Sequence, residues 1–180
     1  MKSIFRSFVN NQRKKMPVNK YPDMIDGVKI SYEKPPIWDA VCVTFKINPR
    51  CYFTYGDTLY NPSKLPIPPE IIAHEKVHIE QQKATILIKH RAVGMSTEKP
   101  NIIEMNPALW WGKFLREPEF RIDQEAKAYG RQYEYICSVI KDDKTRTKYL
   151  EQLAESLSGP LYNSCVSKKE AVILIQKYSG

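Results

Sequence analysis

The sequence predicts an α+β protein in which a small N-terminal antiparallel sheet packs on a mainly helical C-terminal part. Three observations carry that expectation. Between residues 27 and 56 the chain has short runs rich in β-branched and aromatic residues, separated by Pro35-Pro36, Asn48-Pro49 and Gly56-Asp57. From residue 67 onward it is punctuated in the manner of helices, with prolines at starts and Gly159-Pro160 as a stop. Finally, 180 residues suffice for one domain with its own core. We therefore expect a basic arm over residues 1–25 and a single domain over 26–180, with the sheet at about 27–56 and the helical part at about 67–180.

The strand expectations rest on texture. Residues 27–32 (GVKISY) alternate apolar and polar, residues 40–47 (AVCVTFKI) are β-branched and aromatic, and residues 51–55 (CYFTY) read as a third strand. Connections this short join antiparallel neighbours, because parallel crossovers need a dozen residues or more. An edge of such a sheet can hold an extended peptide by backbone pairing.

Next comes a proline-rich entry, residues 61–69, in front of a helix expected from about Pro69 through Gln82. It contains His74-Glu75-Lys76-Val77-His78, an HExxH motif. On a helix the two histidines lie about 40° apart on one face and about 6 Å apart along the axis. Both imidazoles can reach one metal ion. Glu75, about 100° round from His74, is placed to touch a water bound to that ion as general base. Gln81 returns to the histidine face one turn later, where it can orient a ligand.

Residues 84–93 read as helix or strand, and residues 94–101 as a loop. Helices are then expected from Asn106-Pro107, from about 118 to 141, and from Asp142-Asp143 to Gly159-Pro160. A last one follows the capping box Ser167/Glu170. The helix beginning near Pro118 supplies the missing ligand. Arg121, Glu125 and Tyr129 follow at i, i+4 and i+8, so a cation, a carboxylate and a phenol share one face. The small residues Ala126 and Ala128 let this helix approach the motif helix. Glu125 is the preferred third ligand, with Glu119 and Asp123 as alternatives, and Arg121 is expected to steady Glu125. His90 lacks the glycine turn that would return it to the site. For the oxyanion, Tyr129 is the first candidate, with Tyr162, Arg121 and His90 beside it. Trp110 and Trp111 read either as core or as cleft lining.

The ordered set HExxHxxQQ, Trp110-Trp111, Phe120-Arg121, Gln124-Glu125, Ala128-Tyr129 and 158–162 (SGPLY) resembles small gluzincin-type zinc metallopeptidases. It is particularly similar to uncharacterised zincin-like proteins of phages and bacteria, over about residues 70–165. The resemblance implies a zincin-like α+β fold, Zn2+ on His74, His78 and Glu125, Glu75 as base, and a peptide or protein substrate. No thermolysin-like Asn-Glu-x-x-x-Asp motif is present.

Composition bounds the alternatives. Of the net charge of +8, six charges come from Lys2, Arg6, Arg13, Lys14, Lys15 and Lys20, with no acid among the first twenty residues. Such an arm suits nucleic acid or an acidic surface, or a short helix fastened to the body by Ile4, Phe5, Phe8 and Val9. Four scattered cysteines without a CxxC pair point to reduced thiols and a cytoplasmic setting, in a host cell or virion if phage-encoded. No run is long enough to span a bilayer. Beside the peptidase stand two rival expectations: a zinc-bearing structural or interaction protein with little turnover, and a nucleic-acid-associated protein using its arm.

Overall fold

Two Asp/Gly turns organise the first part of the protein. In the computed structural model, which describes residues 21–45, 51–88 and 101–180, Asp26 and Gly27 both have positive φ (48° and 77°). That is the backbone a two-residue hairpin loop requires, and glycine takes it without a Cβ penalty. The loop joins β1 (Met24–Ile25) to β2 (Val28–Ser31), with Ile25 opposite Val28. The basic segment 1–20 and His90 lie outside the described residues, whereas Met24 and Ile25, at the end of the expected arm, belong to the sheet.

The next expected strand is a helix, α1 (Trp38–Phe45). Its β-branched residues suggested a strand, but such enrichment reports packing on a half-buried surface more than an intrinsic backbone preference. The period decides it. Val41 is 3 % exposed and Val43 is 77 % exposed, although alternation would put them on one face; Trp38, Val41 and Phe45, at helical spacing, pack together in the core.

After α1 come β3 (Phe53–Tyr55) and β4 (Thr58–Tyr60), a hairpin closed by Gly56-Asp57 with Gly56 at φ 63°. The sheet order is β1-β2-β4-β3 and the β2–β4 pair is parallel, Ile30 opposite Leu59. The expected all-antiparallel sheet is therefore corrected to a mixed one. The length argument holds for strands adjacent in sequence; β2, however, pairs with the far leg of the next hairpin, and α1 lies within that crossover.

The helices follow their punctuation. They are α2 (Pro69–Gln81), α3 (Pro107–Arg116), α4 (Pro118–Val139), α5 (Asp143–Leu157) and α6 (Lys168–Lys177). Proline opens α2, α3 and α4, where a missing N–H costs nothing. Asn106 and Asp142 accept from Leu109 N–H (3.0 Å) and Thr145 N–H (2.8 Å). The capping box in front of α6 is complete: Glu170 N–H donates to Ser167 Oγ (3.2 Å) and Ser167 N–H to Glu170 Oε2 (2.7 Å). Of the stretch left open between helix and strand, Thr85–Ile88 forms β5, and it pairs antiparallel with β6 (Asn101–Glu104), where a loop ending at Asn101 was expected.

The long helix α4 is the hub, packing against α2, α3, α5 and α6. Its contact with α6 depends on Gly130, where a Cβ would sit 2.6 Å from Tyr178 Cβ and 2.7 Å from its carbonyl carbon. One apolar cluster joins α4, α5 and α6 through Ile122, Leu153, Leu157 and Ile175. A second gathers Val41, Phe53, Trp110, Trp111 and Phe114, so both tryptophans are core, 1 % and 6 % exposed. The third, Val28, Ile30, Leu59 and Ile72, seats α2 on the sheet. The fold is α+β and mostly helical, and among the described residues no helix is long and apolar enough to cross a membrane.

Candidate metal centre

The packing of α2 on α4 brings His74 and His78 of one helix to Glu125 of the other. His74 Nε2 and His78 Nε2 are 3.2 Å apart. Glu125 Oε2 lies 3.6 Å from the first and Oε1 3.7 Å from the second. Ligand atoms about 2.1 Å from a tetrahedral ion stand about 3.4 Å from one another, so these separations fit a shared cation. All three side chains are 5–7 % exposed.

The hydrogen bonds on the outer side of each ring strengthen the fit. His78 Nδ1 is 2.8 Å from Gln81 Oε1, and His74 Nδ1 is 3.0 Å from Gln132 Oε1. An amide oxygen only accepts, so each Nδ1 carries a proton, and in the neutral ring each Nε2 keeps its lone pair. Two lone pairs and a carboxylate thus converge without a donor among them. Such a set calls for a positive charge at its centre, a proton or a metal ion.

Titration behaviour follows from the same geometry. Burial alone would lower the His74 pKa, but the Glu125 carboxylate, with Glu75 and the Gln132 amide, outweighs it and the net shift is upward. Burial lowers His78 to about 4, helped by the charge of His74 and opposed by Glu125. Glu125 itself is held below the usual glutamate range: burial works against ionisation, and the two histidines and the Tyr162 phenol prevail. Burial pushes Glu75 up to about 7, with the Glu125 charge adding to the rise and His74 and the Thr54 hydroxyl opposing it. A carboxyl near neutrality beside a cation site is suited to taking and returning a proton.

Gln81 behaves as expected from its face, and it also donates from Nε2 to the Gln124 carbonyl at 3.0 Å. Arg121 does not steady Glu125 in the way its i, i+4 spacing suggested. Its Nη1 donates to the Phe114 carbonyl at 3.0 Å, and the guanidinium lies over Phe45 and Phe114, 5.0 and 5.8 Å from the ring centroids. The aromatic cluster beneath the start of α4 holds the guanidinium, whose charge still attracts Glu125 without a direct bond between them. Of the alternative ligands, Glu119 is exposed, and Asp123 is bound to Lys127 (2.6 Å) and the Tyr178 hydroxyl (3.2 Å).

Tyr129 does share the site, its ring edge-on to His74 at 4.8 Å between centroids. Its hydroxyl lies 3.4 Å from that of Tyr162 and also hydrogen-bonds to Ser156. Tyr162, carried by a 3-10 turn over Pro160–Tyr162, sets its phenol beside Glu125, where it favours the ionised carboxylate. Burial raises the pKa of both phenols, so they are protonated donors.

Three contributors had no assigned place in the sequence reading. Gln132 lies seven residues after Glu125, two turns along the same face, and that spacing was the signal available. Thr54 hydrogen-bonds to Glu75 from β3, and Gln82 Nε2 is 3.0 Å from the Thr54 carbonyl and 3.4 Å from its hydroxyl. Trp111 Nε1 donates to the same carbonyl at 2.9 Å. β3 is an edge strand, and at Thr54 its outward carbonyl is therefore engaged by the protein itself. A groove of about 660 Å³ between α2 and α4, lined by Ala73, Lys76, Glu80, Arg131 and Glu134, opens on the opposite faces of these helices and includes none of the ligands.

No family model, curated protein or solved structure matches this chain. The site has to be read from its own chemistry.

Proposed function

We propose that this protein is a zincin-like, zinc-dependent peptidase in which His74, His78 and Glu125 hold the ion and Glu75 is the general base. One observation carries the reading: two imidazole Nε2 atoms and a carboxylate from separate helices, all within 4.8 Å of one another, next to a buried glutamate. The donor set of two nitrogens and one oxygen suits zinc and leaves a fourth position for water or substrate. Bound there, zinc supplies Lewis acidity and a water of lowered pKa.

The remaining steps fall to the chain. Glu75, its carboxyl raised to about 7 by burial and steadied by Thr54, accepts the proton of the attacking water and returns it to the leaving amine. Tyr162 anchors Glu125, and Tyr129, edge-on to His74 and bonded to Tyr162, stiffens that side of the site.

Near-complete burial of all four side chains favours a second reading, in which the ion bolts α2 to α4 and nothing is turned over. Metal analysis of the purified protein, with cleavage of dye-labelled casein and of a mixed peptide library by wild type and Glu75→Gln, separates the two. The peptidase reading expects stoichiometric zinc in both proteins and cleavage by the wild type that falls at least about 10²-fold in the variant. Bound zinc with no Glu75-dependent cleavage would leave the bolt.

A further inference from the structure

We propose that Gln132 and Gln81 are positioning residues: their amide oxygens hold His74 and His78 as Nδ1–H tautomers, and together they lock α2 to α4 so that both Nε2 atoms face Glu125. The inference rests on the metal reading above and adds how this chain prepares the site.

The two amides are reciprocal. Gln132 projects from α4 to a histidine of α2, at 3.0 Å. Gln81 projects from α2, accepts a hydrogen bond from the Nδ1–H of its own helix's His78 at 2.8 Å, and donates across to the α4 carbonyl of Gln124, the residue before Glu125. Each helix thus holds the other next to a ligand. A shift of one helix along the other would break an amide bridge before it pulled the ligands apart.

The sense of the Gln132 amide is informative. Its Oε1 faces the imidazole, while its Nε2 has no hydrogen-bond partner among the described residues, at a position 1 % exposed. Turned over, the amide would donate to Nδ1, move the His74 proton to Nε2, and aim that proton at His78 Nε2, 3.2 Å away. The orientation with an idle buried amino group is the one that leaves both Nε2 lone pairs free. These holders are also uncharged. With a divalent ion, two neutral imidazoles and Glu125, the centre keeps a net charge of +1, which a carboxylate in the place of either amide would cancel.

The test uses the full-length protein and zinc alone. Only three histidines are present, so the imidazole resonances of His74 and His78 can be assigned with His90 as an internal control. In the zinc-loaded wild type, both rings are expected to show a slowly exchanging Nδ1–H and coordination through Nε2. Gln132→Leu, of similar volume, is expected to lose the protected His74 proton and bind zinc about 10- to 100-fold more weakly in competition with a chromophoric chelator. Gln132→Glu, which can still accept that proton, is expected to restore binding to at least the wild-type level. Should Gln132→Leu fail to fold, Gln81→Leu repeats the measurement on His78 from a half-buried position. Coordination through Nδ1, Gln132→Leu binding within twofold of wild type, or Gln132→Glu as weak as the leucine variant would each overturn the proposal while leaving the metal reading standing. A wild type that takes up no zinc overturns both.

Discussion

Gln82 Nε2 lies 3.0 Å from the carbonyl oxygen of Thr54, and the same amide accepts from the Gly56 N–H at 2.8 Å. The second glutamine of the QQ pair is therefore the clasp between the motif helix and the β3–β4 hairpin, fully buried at 0 % exposure. Thr54 also faces Glu75 and favours its ionised form, so the clasp fixes the strand that lies beside the proposed base. Gln82→Leu leaves the Gly56 N–H without its partner and should lower stability by about 1–3 kcal/mol in urea denaturation. A change near zero would mean that the clasp contributes nothing net.

Zinc should stabilise the folded protein because the three ligands come together only when α2 packs on α4. At a free zinc concentration about 100 times Kd, linkage predicts about 2.7 kcal/mol, seen as a rise in Tm that excess chelator reverses. Glu125→Ala should largely abolish the rise. An equal shift in that variant would place the ion elsewhere.

The helical assignment of α1 makes a sharp mutational contrast. Val43→Lys, at an exposed position, should change stability by no more than about 0.5 kcal/mol. Val41→Ala, in the core, should cost about 2 kcal/mol. Comparable losses at the two positions in thermal or urea unfolding would argue for a strand, where both residues share a face.

The capping box of α6 predicts a pH dependence. Glu170 is held below its usual pKa by the Ser167 N–H and hydroxyl. Its contribution is thus fully present above the unfolded glutamate pKa of about 4.3 and is lost as pH falls through the lower folded value. Glu170→Gln keeps a side-chain acceptor and removes the titration. Urea midpoints between about pH 2 and 6 should therefore fall less steeply in the variant; parallel slopes would show that Glu170 is not linked to folding.

The helical half of the protein was legible because its signals are local. Proline at a first turn, Asn106 or Asp142 at an N-cap, and Ser167 with Glu170 each act within about four residues, and each produced the expected boundary. The nearness of Glu125 to the HExxH pair was legible too, since His74 and His78 share a helix face and Glu125 lies beside small residues that let the two helices approach. The strand reading of residues 40–47 misled because a run of Val, Thr and Phe is equally at home on the apolar face of a short helix.

What the sequence by itself determined, then, was the helices from α2 to α6, and with them the two elements that carry the candidate site. Tertiary structure decided how those two elements meet. His74 and Gln132 are 58 residues apart in the chain, and Thr54 reaches Glu75 from another element altogether. The same holds for Arg121, whose guanidinium rests over Phe45 and Phe114, and for the parallel pairing of β2 with β4. Those outcomes follow from which faces exclude water together, a competition among surfaces distant in sequence that no local spacing records.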